Sequence, residues 1–128
     1  MDITVGKKAE VSALVERKDT ALEVGSGSLR VYATPCMAAL MEGAACEALG
    51  GLLSEEQTTV GIELNLKHLA ATPVGMEVRA EAEVTAVEGK IITFAITAYD
   101  EAGKIGEALH KRAIVSSQKF LDKTYAKL

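Results

Sequence analysis

The apolar and polar positions of the chain follow two periods, and the order in which those periods succeed one another sketches a fold. Across residues 8–17 apolar Val11, Ala13 and Val15 alternate with polar neighbours, the period-two mark of a strand with one buried face. A second extended piece is predicted over 20–24, ahead of the flexible loop Gly25-Ser26-Gly27-Ser28. Thr34-Pro35 then reads as a helix start: a hydroxyl able to cap the first free amides, and a proline whose missing amide costs nothing there. The predicted helix covers 34–49 and stops at Gly50-Gly51. Met37, Leu40, Met41, Ala44, Ala45, Ala48 and Leu49 cover most of its circumference, which predicts a buried helix rather than a surface one.

Period two returns after the acidic turn Ser54-Glu55-Glu56. Ile62, Leu64 and Leu66 alternate with Glu63, Asn65 and Lys67 in a strand over 61–68, and further strand patterns occupy 76–87, 90–100 and 104–117. The breaks Glu88-Gly89 and Asp100-Glu101-Ala102-Gly103 between the last three are hairpin signals. The chain therefore reads as one α+β domain over residues 1–128: a strand, a buried helix, then a meander of four long antiparallel strands. A single curved sheet can bury such a helix by wrapping around it, which is the hotdog architecture, although other α+β folds also place a helix before a meander.

Composition narrows function more than fold. A formal net charge of −4 argues against a nucleic-acid partner, which would need clustered Lys and Arg to neutralise phosphates. No stretch reaches the roughly 18 apolar residues of a membrane span, so no membrane partner is expected. The first residues also lack a basic region followed by an apolar run, so a cytoplasmic location is expected. Cys36 and Cys46 lie on one predicted helix with their α-carbons roughly 15 Å apart, too far to pair, and are expected to be reduced, buried thiols. No Cys/His ligand spacing and no glycine-rich phosphate loop occurs, so neither a metal nor a separate cofactor is expected.

Few residues are left to carry chemistry. Glu42 sits mid-helix among apolar neighbours, where a buried, unpaired carboxylate would be costly and hard to ionise. The alternative places it on a narrow exposed stripe near Glu47, and both placements stay open. Thr34 lies eight residues earlier, two turns away on roughly the same face, but is also an ordinary helix cap. His68 closes a strand before the turn Leu69-Ala70-Ala71-Thr72-Pro73; like His110, it reads in isolation more as a surface histidine than as a catalyst. For Cys36 the apolar helix offers no activating base, which favours packing.

Three stretches together resemble the fluoroacetyl-CoA thioesterase family over about residues 5–120. They are Tyr32 to Glu42, Gly61 to His68 continuing into Ala70-Ala71-Thr72-Pro73-Val74-Gly75, and His110-Lys111-Arg112-Ala113. The combination carries it: a threonine, a glutamate eight on, and a histidine before an Ala-Ala-Thr-Pro turn. The resemblance implies a hotdog homodimer, or a higher assembly, with sheets joined edge to edge and two sites at the subunit interface. Thr34, Glu42 and His68 would be catalytic, Gly61 would lie near the thioester carbonyl, and Arg112 would line the coenzyme side. The implied activity is hydrolysis of an acyl-CoA, the CoA being part of the substrate rather than a cofactor.

The family's fluoroacetyl-specific member carries a longer, aromatic-rich lid before the helix, where this chain has Gly25-Ser26-Gly27-Ser28-Leu29-Arg30. A general short- or medium-chain acyl-CoA is therefore the expected substrate. Two other readings compete: a hotdog hydratase, which typically uses an Asp/His pair although this helix holds no aspartate, and an acyl-CoA-binding module, which would not need Glu42.

Overall fold

The structure, a computed structural model, describes residues 2–128. Five antiparallel strands form one sheet in the order β1-β3-β4-β5-β2. These are β1 (Lys8–Leu14), β2 (Gln57–His68), β3 (Glu77–Glu88), β4 (Ile91–Tyr99) and β5 (Lys104–Ser116). The sheet holds the helix α2 (Thr34–Ala48) on its inner face, and the short helices α1 (Ala21–Val24) and α3 (Ser117–Tyr125) lie outside that core. The expected α+β hotdog arrangement is what the chain adopts.

Alternation builds the inner face. Val78, Ala80, Ala82 and Val84 of β3 and Ile92, Phe94, Ile96 and Ala98 of β4 are buried, with less buried residues between them. They meet Met37, Met41, Ala44, Ala45 and Ala48 of α2. Alanines on both sides let the helix approach closely, so a chain poor in aromatic residues still fills its core.

Several expectations change. The last four strands are not a simple meander: β3, β4 and β5 are consecutive neighbours, but β2 pairs with β5 and β3 with β1. Residues 69–76 carry the chain from the β2 edge to β3, three places away in the sheet, bonding Tyr32 and Val15 on the way. β2 begins at Gln57, four residues before the alternation that announced it, because Gln57, Thr58 and Thr59 give no apolar period. A bulge between Gly61 and Glu63 turns Ile62 out of the expected inward row, leaving it 53% exposed. The piece over 20–24 is helical: the Thr20 hydroxyl accepts from the Glu23 amide, and Gly25 closes the turn at φ 79°. α3 stands where no element was predicted.

The helix α2 is also less enclosed than its sequence implied. Gly43, Cys46 and Glu47 are exposed and Cys36 is half-buried, so the thiols are not both interior. Among the described residues, no helix is long and apolar enough to cross a membrane.

Candidate active site

Two local devices set the helix against β2 and thereby place the polar residues. The first is the turn after β2. His68 pairs with Gly106, the chain leaves the strand at Leu69, and the Thr72 carbonyl then accepts from the Tyr32 amide at 2.9 Å. Thr72 is itself buried and donates its hydroxyl to Asp100 at 2.7 Å. The Ala70-Ala71-Thr72-Pro73 segment thus ties the entry of α2 beside the end of β2, which brings Thr34 to His68.

The second device is a pair of glycines on the sheet. A Cβ on Gly106 would stand 2.5 Å from the Met37 methyl, and one on Gly61 would stand 2.5 Å from Glu42 Oε2. The first turn and the middle of the helix thus approach strands that carry no side chain at the contact, and a methyl at either place would force a neighbour to move.

Thr34 Oγ1 and His68 Nδ1 lie 2.7 Å apart. The threonine is not a cap. Ala33 occupies the cap position without a side-chain bond, and Thr34 is the first helical residue. Its hydroxyl is therefore free for the imidazole. Pro35 has no amide and the Cys36 amide goes to the Ala33 carbonyl at 3.0 Å, so Thr34 carries the one amide of that first turn without a partner among the described residues. Burial pushes the His68 imidazole below the usual histidine range, with the Ala70 carbonyl pulling the other way. Its Nε2 is buried and has no hydrogen-bond partner among the described residues. A cleft of about 350 Å³ opens beside the pair, lined by Ala21, Ser26, Val31, Tyr32 and Leu69-Ala70-Ala71.

Glu42 belongs to a different cluster. Its side chain is 43% exposed, neither buried and unpaired nor simply solvated, and its Oε2 accepts from Arg112 Nη1 at 3.3 Å. Arg112 is 7% exposed. Its Nε donates to Thr59 Oγ1 at 2.9 Å and its Nη2 to the Thr59 carbonyl at 3.1 Å. The remaining Nη1 proton goes to His110 Nε2 at 3.1 Å. The guanidinium expected to line the coenzyme side sits behind Glu42, with four of its five N–H groups engaged within the chain.

The predicted residues therefore fall into two groups: Thr34 with His68, and Glu42 with Gly61 and Arg112. Eight helical residues separate Thr34 from Glu42, about 12 Å along the axis. Thr59 and His110 join the second group unforeseen. His110 carried a signal: it lies two residues before Arg112 on one strand, and period two puts both on the inner face.

A curved five-stranded sheet around one helix, with a hydroxyl, an imidazole and a carboxylate at its open side, defines a hotdog protein equipped for acyl-transfer chemistry. The stretch 15–118 matches the family described as fluoroacetyl-CoA-specific thioesterase, and the chain belongs to that family. The fluoroacetyl-CoA thioesterase of Streptantibioticus cattleyicolor is 36% identical over 90 residues, 70% of this chain. That match spans 65% of the relative's own length, just under two thirds. A solved structure of the fluoroacetyl-CoA thioesterase FlK superposes with a TM-score of 0.94 at 28% identity, covering 100% of this chain and 99% of that one. A variant of FlK in complex with fluoroacetate and CoA superposes at 0.87 with 29% identity, over 92% of this chain and 99% of that one. A thioesterase-superfamily protein of Thermus thermophilus gives 0.89 at 27% identity, over 98% and 93%.

Proposed function

We propose that this protein hydrolyses a short- or medium-chain acyl-CoA to the free acid and CoA, as a homodimer whose active site is completed across the subunit interface. The observation that carries this reading is the division of the polar residues along α2. One thioester carbonyl cannot readily touch both the Thr34–His68 pair and a carboxylate that springs from about 12 Å further along the same helix and is held at Arg112 and Gly61.

The sheet supplies the remedy. β2 is a 12-residue edge strand whose outer side pairs with no other strand among the described residues, and such an edge invites another strand. Two β2 edges pairing antiparallel about a twofold axis run the Gly61 end of one strand against the His68 end of the other. Glu42 of the partner subunit then approaches Thr34 and His68. The match of the family to this chain, and the CoA bound to a FlK variant, support the same substrate class.

In the composite site, the Thr34 hydroxyl and its amide face the thioester oxygen, where negative charge develops. Glu42 either removes a proton from the attacking water or attacks the carbonyl itself to form an anhydride that water then hydrolyses to the free acid; in both routes the C–S bond breaks and CoA leaves as its thiol. His68 holds Thr34 in place and moves the proton. The absence of phenylalanine from the short segment before the helix favours a general acyl group over fluoroacetyl selectivity. We place the enzyme in the cytoplasm, the location expected from the sequence.

Hydrolysis of acetyl-, fluoroacetyl-, butyryl-, hexanoyl- and octanoyl-CoA, followed by thiol release, tests the reading. Turnover of several acyl groups without a marked preference for fluoroacetyl is expected. Tight binding of all of them without thiol release would identify an acyl-CoA-binding protein instead, and hydration of an enoyl-CoA would identify a hydratase.

A further inference from the structure

We propose that His110 is a positioning residue that aims the Glu42 carboxylate through Arg112; the proposal rests on the reading of Glu42 as catalytic. His110 lies on β5, is 1% exposed, and packs its ring against Phe94 with centroids 6.0 Å apart. Its partners fix its proton. Nδ1 is 2.7 Å from the Glu63 carbonyl, which can only accept, so Nδ1 carries the hydrogen. Nε2 is 3.1 Å from Arg112 Nη1, which can only donate, so Nε2 presents its lone pair. An imidazole donating from one nitrogen and accepting at the other is neutral, and burial, which pushes its pKa below the ordinary histidine range, holds it so.

One direction then runs through the cluster. The Glu63 carbonyl receives from His110, His110 receives from Arg112, and the second proton on the same Nη1 is left to point at Glu42 Oε2. Thr59 holds the other side of the guanidinium by two bonds. With three fixed acceptors the guanidinium plane cannot turn, and the half-exposed carboxylate meets a donor of set direction. The bulge that expels Ile62 is what delivers the Glu63 carbonyl to His110, and the missing side chain at Gly61, whose Cβ would lie 3.2 Å from His110 Cε1, leaves room for the contact.

Two variants and one spectrum test this. His110→Phe keeps a planar aromatic ring and removes both hydrogen bonds; kcat on butyryl-CoA should fall ten- to a hundredfold with KM changed less than about threefold, because the carboxylate is misaimed while the acyl cleft is untouched. His110→Gln can return an acceptor to Arg112 and should recover most of kcat. Imidazole nitrogen NMR of the unmodified enzyme at pH 7 should show a protonated Nδ1 and a bare Nε2, a readout independent of activity and of whether the variants fold. A protonated Nε2 overturns the proposal. So does a fully active His110→Phe enzyme when Glu42→Gln is inactive. If Glu42→Gln is itself fully active, the catalytic reading of Glu42 fails, a result distinguishable from failure of the His110 link alone.

Discussion

Thr34 shows how much a single residue's reading depends on one local bond. In sequence, a threonine before proline is a helix cap, yet the cap position belongs to Ala33 and the hydroxyl is committed to His68 at 2.7 Å. Loss of a true cap costs about 1 kcal/mol. Thr34→Ala is therefore expected to change stability by no more than about 0.5 kcal/mol while lowering kcat severalfold or more. Chemical denaturation beside steady-state kinetics checks both, and a loss of 1 kcal/mol or more with normal kcat would restore the cap. Gly61 makes the opposite kind of claim. Its added methyl in Gly61→Ala would meet Glu42 Oε2 at 2.5 Å, and a half-exposed carboxylate yields more readily than the strand backbone. A displaced Glu42 predicts kcat lowered about tenfold or more, and crowding of the buried His110 and Arg112 at 3.2 and 3.3 Å lowers the melting temperature as well. Wild-type kcat would mean the carboxylate's position does not matter to the reaction.

At the level of elements, the sequence was most legible where a period repeats. The helix bounds, β3, β4 and β5, and both hairpins stand within a few residues of their predicted places, because alternation and glycine-marked turns are local properties. Strand order was not legible. Nothing in residues 69–76 announces that the chain crosses from the β2 edge to β3 beside β1, or that β2 pairs with β5 rather than β3. The site was legible only in part for the same reason. Glu42 could be picked out as a polar residue in apolar surroundings, whereas Thr34 and His68 stand out only through the family resemblance. The Thr59–Arg112–His110 support of Glu42 depends on β5 lying beside β2, a non-local pairing no window of sequence contains. The bulge at Ile62 was hidden because its apolar side chain fitted the alternation it in fact breaks.

For the whole molecule, the buried histidine leaves a signature in stability. His110 is held below its ordinary value of 6.5, so between that value and the depressed one the unfolded chain binds a proton that the folded chain refuses. Stability therefore rises with pH across that window and falls as acid is added below about 6.5, His68 contributing in the same direction. Melting temperatures from pH 8 to 5 should show this decline, and His110→Phe should flatten it. A decline of equal steepness in that variant would place its origin elsewhere.

The claim that most needs testing is that neither half of the site works within one subunit. Glu42→Gln and His68→Ala homodimers should each lose most activity, by about ten- to a thousandfold. Dissociated and reassociated together, half of the dimers are mixed, and in each mixed dimer one of the two sites pairs an intact His68 with an intact Glu42 of the partner subunit. The account predicts recovery of about a quarter of the wild-type kcat on mixing two nearly inactive proteins. Recovery of nothing from a sample shown to contain mixed dimers would contradict it, and would mean that Thr34, His68 and Glu42 serve the same thioester from a single chain.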